Sequence, residues 1–145
     1  MKVYLDNCCY NRPYDDQTQL SVRLETQAKL QVQSRIKNGE LNLVWSYIMD
    51  YENSKNPFEE KKDAIQLWKG LAVQQVEENE EILKFAESLA SQGIKPFDAL
   101  HIACAVSAKC DCFLTTDRKL LRSSVPEIRI INPVTFIMEE GEQHE

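Results

Sequence analysis

No apolar run in this chain approaches the roughly 20 residues that a membrane-spanning helix needs. Met1 leads directly into a strand pattern, without the charged start and apolar stretch of a secretory leader. Histidine is scarce, with two in 145 residues, and the five cysteines do not compensate for it. Cys8, Cys9, Cys104, Cys110 and Cys112 are odd in number and unpatterned. Cys110-Asp-Cys112 is too tight for a usual zinc pair, and no second pair or nearby His completes four ligands. These absences point to reduced thiols, used mostly as small hydrophobes, in a cytoplasmic protein that is not on a membrane. Positive charge is not in excess either. A net charge of −6 argues against a large electrostatic clamp on nucleic acid, which works by neutralising phosphates. It leaves room for a nuclease, because metal-binding acids add negative charge that bound cations offset. No internal repeat, low-complexity segment or linker divides the chain.

What is present is the composition of an ordinary soluble globule, 43% hydrophobic and 28% charged. The length suits one domain with a real core. We expect that domain over residues 1–138 and a frayed acidic tail over 139–145. Strand and helix patterns alternate throughout, the mark of an α/β fold with a parallel sheet. Strands are expected near Lys2–Asp6, Leu41–Trp45, Leu71–Val76, Cys112–Thr115 and Ile128–Ile131. Asn11-Arg-Pro-Tyr-Asp-Asp reads as loop. A long helix follows from Thr18 to Lys37, with Leu24, Ala28, Val32 and Ile36 on one face and Asn38-Gly39 as its stop. Ser46 caps a short helix to Glu52, and Pro57 suits the start of another over Phe58–Lys69. Glu77–Ser91 carries Ile82, Phe85, Ala86 and Leu89 at helical spacing. Pro96 opens an apolar helix to Ala108, Asp117–Leu121 is a short helix, and Pro133–Met138 makes a final turn or two.

Acids recur where such a fold gathers a site. Asp6 ends the first strand, Asp117 follows the fourth, and Asp98 lies in the first turn of the apolar helix. Carboxyl ends of parallel strands and the adjoining helix starts face one crevice. Carboxylates there bind hard cations such as Mg²⁺ or Mn²⁺. Each acid also has a plainer role. Asp6 suits a turn, Asp98 complements the helix dipole, and Asp117 can start a helix that Thr116 caps. Asp98 is the hardest to explain plainly, because the helix behind it must be buried and a buried acid needs a partner or water. Asp50 and Glu52, after the second strand, both remain open as a fourth acid. His101 reads as a core imidazole bonded to backbone or to an acid. Asn7 and Thr116 could orient metal waters. Lys95, Arg118, Lys119 and Arg122 flank Asp98 and Asp117 and would serve as phosphate contacts if they line the crevice.

Val3-Tyr-Leu-Asp6, Ser46 with Glu52 six positions on, Asp98-Ala-Leu-His-Ile-Ala-Cys-Ala and Phe113-Leu-Thr-Thr-Asp117 together resemble a PIN domain over nearly the whole chain. The resemblance implies a parallel sheet of about five strands sandwiched by helices. It implies a metal-dependent ribonuclease using Mg²⁺ or Mn²⁺, with Asp6, Glu52, Asp98 and Asp117 as its acidic quartet and Thr116 as their polar companion. RNA is then the substrate, and an antitoxin protein or a second copy of the chain could be a partner. Cys8-Cys9 and the loop after them differ from the common toxin pattern, so toxin and housekeeping roles both stay open. Two other readings compete. One is a catalytically silent PIN fold that binds RNA or protein. The other is a phosphatase-like hydrolase, which wants a strand-one Asp-x-Asp where this chain has Asp6-Asn-Cys8.

Overall fold

The computed structural model describes residues 1–12 and 15–143. Pro13 and Tyr14, within the expected loop, and His144 and Glu145, within the expected tail, lie outside the described residues. Five strands form one parallel sheet: β1 (Lys2–Leu5), β2 (Asn42–Ser46), β3 (Gln74–Val76), β4 (Cys112–Leu114) and β5 (Arg129–Ile131). Their order is β3-β2-β1-β4-β5. The chain builds outward from β1 to β3, then returns to β1's other side with β4. The order therefore reverses between β1 and β4, where an open α/β sheet has its crevice. Val3, Tyr4, Leu5, Leu43, Val44, Trp45, Phe113 and Leu114 are all within 1% of complete burial, so neither face of the central strands meets water. Such double burial is why these strands read as short apolar runs rather than as alternating ones.

The covering helices are α1 (Asn7–Asn11), α2 (Leu20–Lys37), α3 (Tyr47–Ser54), α4 (Glu59–Lys69), α5 (Glu80–Ser91), α6 (Pro96–Ser107), α7 (Arg118–Leu121) and α8 (Pro133–Gln143). Helices α5 and α6 pack together, as do α2 and α8. Among the described residues no helix is long and apolar enough to cross a membrane. All five cysteines are free, and four are buried.

Several expectations need correcting. Leu24 is 44% exposed, while Val22, Ala28, Val32 and Ile36 are buried. A four-residue repeat drifts roughly 40° per step against a 3.6-residue turn, so it leaves the core within a few repeats. Asn7–Asn11 is a helix rather than a turn, because the Asp6 side chain caps it. Strand β3 is shorter than expected, since Leu71 and Val73 are exposed and only Gln74–Val76 pairs with β2. Helix α5 starts at Glu80 because Asn79 Oδ1 accepts from Ile82 N at 2.9 Å. Helix α8 runs past Met138 to Gln143, with Glu139 paired to Arg129 and Glu140 to Arg35. Gly39 ends α2 as expected, at φ +77°.

Candidate active site at the sheet switch point

Asp6 leaves β1 at the reversal in strand order and is 5% exposed. Its backbone N donates to Leu114 O at 2.9 Å, tying it to the end of β4. Its Oδ1 accepts from Asn7 N at 2.8 Å. Its Oδ2 accepts from Thr115 Oγ1 at 2.8 Å, and the Cys8 thiol lies 3.4 Å from the same oxygen. The Thr115 hydroxyl in turn accepts from Asp117 N at 3.0 Å. One buried hydroxyl thus joins the two strand-end acids. Thr116, the expected companion, is buried too, but its hydroxyl makes no hydrogen bond. Leu5 pairs with Leu114 across β1 and β4, so the next residues, Asp6 and Thr115, stand side by side.

Asp117 itself caps α7, the role expected of Thr116. Its Oδ1 accepts from Lys119 N at 2.8 Å and Leu120 N at 3.3 Å. Asp98 stands in the first turn of α6, partly buried. Burial first, then the charges of Asp6, Asp117 and Glu52, push its carboxyl up from 3.8 to about 6, while His101 works the other way. The four acids therefore share one electrostatic field.

The two acids left open on α3 have separate partners. Asp50 accepts from Trp45 Nε1 at 3.0 Å and from Lys69 Nζ at 3.0 Å, so it holds α3 to β2 and α4. Glu52 turns instead toward His101, whose Nε2 lies 2.8 Å from Glu52 Oε1. His101 is fully buried, and its Nδ1 is 2.6 Å from Tyr4 OH, which is 2.6 Å from Ser46 Oγ. Burial raises the Tyr4 phenol well above its usual range, so Tyr4 keeps its proton. With Tyr4 protonated, one direction that satisfies the chain has Ser46 donating to Tyr4, Tyr4 to His101 Nδ1, and His101 Nε2–H to Glu52. Sequence reasoning missed Thr115 and the Tyr4–Ser46 arm of this chain. Cys112–Thr116 is buried throughout, so no alternation in the sequence singled out Thr115.

Two clefts adjoin the acids. One, of about 360 Å³, is lined by Asn7, Asn11, Glu52, Lys55 and Phe58 among others. The other, of about 180 Å³, is lined by Lys95, Asp98, Asp117 and Lys119 among others. Lys95 and Lys119 thus reach the site, while Arg118 and Arg122 are exposed and do not line that cleft. Among the described residues no three His, Cys, Asp or Glu side chains are placed to hold a metal ion together as they stand. Donor type and charge nevertheless fit a hard divalent cation. The donors are carboxylate oxygens, and the charges of Asp6, Asp117 and Glu52 all act on Asp98. The α7 cap uses only Oδ1 of Asp117 and the His101 bond only Oε1 of Glu52, so each acid keeps its second oxygen for a cation.

Comparison with known proteins agrees with this architecture. The PIN domain family profile matches residues 23–125. A chain in the crystal structure of VapBC2 from Rickettsia felis bound to a DNA fragment from their promoter superposes with a TM-score of 0.56 at 15% identity, covering 91% of this chain and 98% of that one. No curated protein matches the chain significantly. The family match spans well over half of the sequence and takes in β2, β3 and β4 of the parallel sheet, so this chain belongs to the PIN domain family.

Proposed function

We propose that this protein is a divalent-metal-dependent endoribonuclease that serves as the toxin of a toxin–antitoxin pair. PIN domains are generally nucleases that depend on divalent metal, and the VapBC2 likeness supports an antitoxin partner. The observation that carries the reading is Asp98, whose carboxyl is pushed to about 6 by burial and by Asp6, Asp117 and Glu52. Those four acids, at the crevice end of a parallel sheet, are the residues that would hold Mg²⁺ or Mn²⁺. A cation bound there would lower the pKa of water and offset charge on the reacting phosphate. The reaction is attack of a water oxygen on phosphorus, with departure of a ribose oxygen and transfer of one proton to it. Thr115 holds Asp6, and His101 holds Glu52, before substrate arrives. Lys95 and Lys119 meet the phosphates that flank the cut. Asn7 and Thr116 orient water around the acids. The same reading puts the protein in the cytoplasm, with an antitoxin and a second copy of the chain as its candidate protein partners.

A catalytically silent binding module is the second reading. It is favoured by the spacing of the acids, since among the described residues no three His, Cys, Asp or Glu side chains stand close enough to hold a metal ion together. Cleavage of single-stranded RNA by the purified protein, with Mn²⁺ or Mg²⁺ and with EDTA, separates the two. We expect cleavage with metal and none with chelator, and cleavage that survives chelation would sink the metal-dependent reading. A Mn²⁺ titration that shows no binding would favour the silent module.

A further inference from the structure

Two exposed aromatic rings stand beside the acids. Tyr51 precedes Glu52 on α3, and Phe97 precedes Asp98 on α6. The rings are 16° from parallel with centroids 5.6 Å apart. Parallel rings at that separation are laterally offset, so each leaves part of its face uncovered. They are 48% and 46% exposed. Single exposed aromatics are ordinary on a protein surface. A stacked pair from two helices, each ring one residue from a candidate metal ligand, is a built surface.

Ammonium groups accompany the rings. Lys55 Nζ stands 5.3 Å from the Tyr51 ring centre. Beyond it, Phe58 is 57% exposed and has Lys61 Nζ 4.3 Å from its ring centre. Lys55, Phe58 and Lys61 line the same cleft as Glu52. In a chain of net charge −6, Tyr51, Lys55, Phe58 and Lys61 set flat π surface beside positive charge, with Asp15 and Glu52 as the acids of the same cleft. Unpaired bases stack on aromatic faces while cations follow their phosphates. A duplex keeps its base faces covered, and an apolar protein partner would have no use for the lysines.

We infer that Tyr51 and Phe97, with Lys55, form a stacking subsite for an unpaired nucleobase of the substrate, next to the scissile phosphate. The Tyr51–Phe97 stack and the Glu52–His101 hydrogen bond both cross the contact between α3 and α6, so the ring pair stands at the same helix junction as Glu52. The inference rests on the nuclease reading, but its test does not depend on cleavage.

The test is binding of fluorescent single-stranded RNA oligonucleotides in Ca²⁺, with one base at a time replaced by an abasic site. Wild type should lose roughly five- to a hundredfold in affinity at one position and little elsewhere. Tyr51→Ala and Phe97→Ala should bind the intact RNA more weakly by a similar factor and become indifferent to that abasic site. Tyr51→Phe, which keeps the ring, should behave as wild type. Phe97→Leu, which keeps apolar bulk for folding but not the π face, should behave as Phe97→Ala. A 2-aminopurine at the sensitive position should be quenched on binding to wild type and not to Phe97→Leu. Wild-type affinity that is equal for every abasic site would overturn the inference. So would alanine variants that bind RNA normally but change oligomeric state on sedimentation, which would make the pair a protein interface. RNA binding that senses the missing base without Mn²⁺-dependent cleavage would overturn the nuclease reading and leave the subsite standing.

Discussion

Asp98→Asn should make the metal-free protein more stable at neutral pH, although it removes a carboxylate from a helix N-terminus. The Asp98 carboxyl is raised from 3.8 to about 6. Between those values the folded protein holds a proton that the unfolded chain has released. Stability therefore falls as pH rises through this window and stays lower above it. Taken at face value the shift is worth roughly 3 kcal/mol. Asp98 is only partly buried, and solvent screening reduces that to roughly 1–2 kcal/mol. Opposing it is the lost interaction with the α6 dipole, about 0.3–1 kcal/mol. Burial and repulsion together win by about 1 kcal/mol, which in a domain of this size is roughly 3–4 °C in Tm. Melting curves in EDTA at pH 7.5 should show the variant above wild type, and the gap should close below pH 4. Saturating Mn²⁺ should reverse the order. A ligand at a hundredfold excess over Kd stabilises by about 2.7 kcal/mol, and the variant has lost one of its ligands. A variant that melts lower than wild type in EDTA would refute the repulsion argument and make Asp98 a helix-start carboxylate. Equal Mn²⁺-induced shifts in the two proteins would remove Asp98 from the ligand set.

Asp6→Asn, Asp117→Asn and Glu52→Gln should each abolish RNA cleavage with the fold kept, since Asn still caps α7; a double variant should be little worse than a single one. Asp50→Asn should keep activity and lower stability by about 1 kcal/mol, because it weakens the bonds to Trp45 and Lys69; an inactive Asp50→Asn beside an active Glu52→Gln would reverse the assignment of the fourth acid. Tyr4→Phe removes the donor to His101 Nδ1, so nitrogen NMR should show the imidazole leaving a single Nε2–H tautomer; an unchanged tautomer would break the proposed proton direction. Burial lowers the Lys29 ammonium from 10.5 to about 8, and no acid pairs with it among the described residues. The folded state then binds fewer protons than the unfolded chain between those values, so stability rises with pH there; Lys29→Met should raise stability at pH 7 by up to roughly 3 kcal/mol and remove that slope in chemical denaturation.

The amino-acid sequence by itself determined the layered α/β fold, the central place of the first strand, and the positions of Asp6, Asp98 and Asp117 along the chain. Those are local matters. Apolar runs such as Val3-Tyr-Leu and Phe113-Leu can be satisfied only inside a covered sheet, and Pro96 can open a helix only at its start. Resemblance to a family favoured Glu52 over Asp50, but neither spacing nor propensity separates two acids on one short helix. Tertiary structure gave them different partners. Trp45 and Lys69 hold Asp50, while the chain from Ser46 through Tyr4 and His101 ends at Glu52. The members of that chain are 42, 97 and 49 positions apart at its successive bonds, beyond the reach of any periodicity. The choice of Thr115 over Thr116 beside Asp6 was likewise settled by β1 and β4 lying side by side, a pairing of residues 109 positions apart. Hydrogen bonding is directional and short-ranged, so which side chain meets which acid was decided only when the sheet brought distant strands into register.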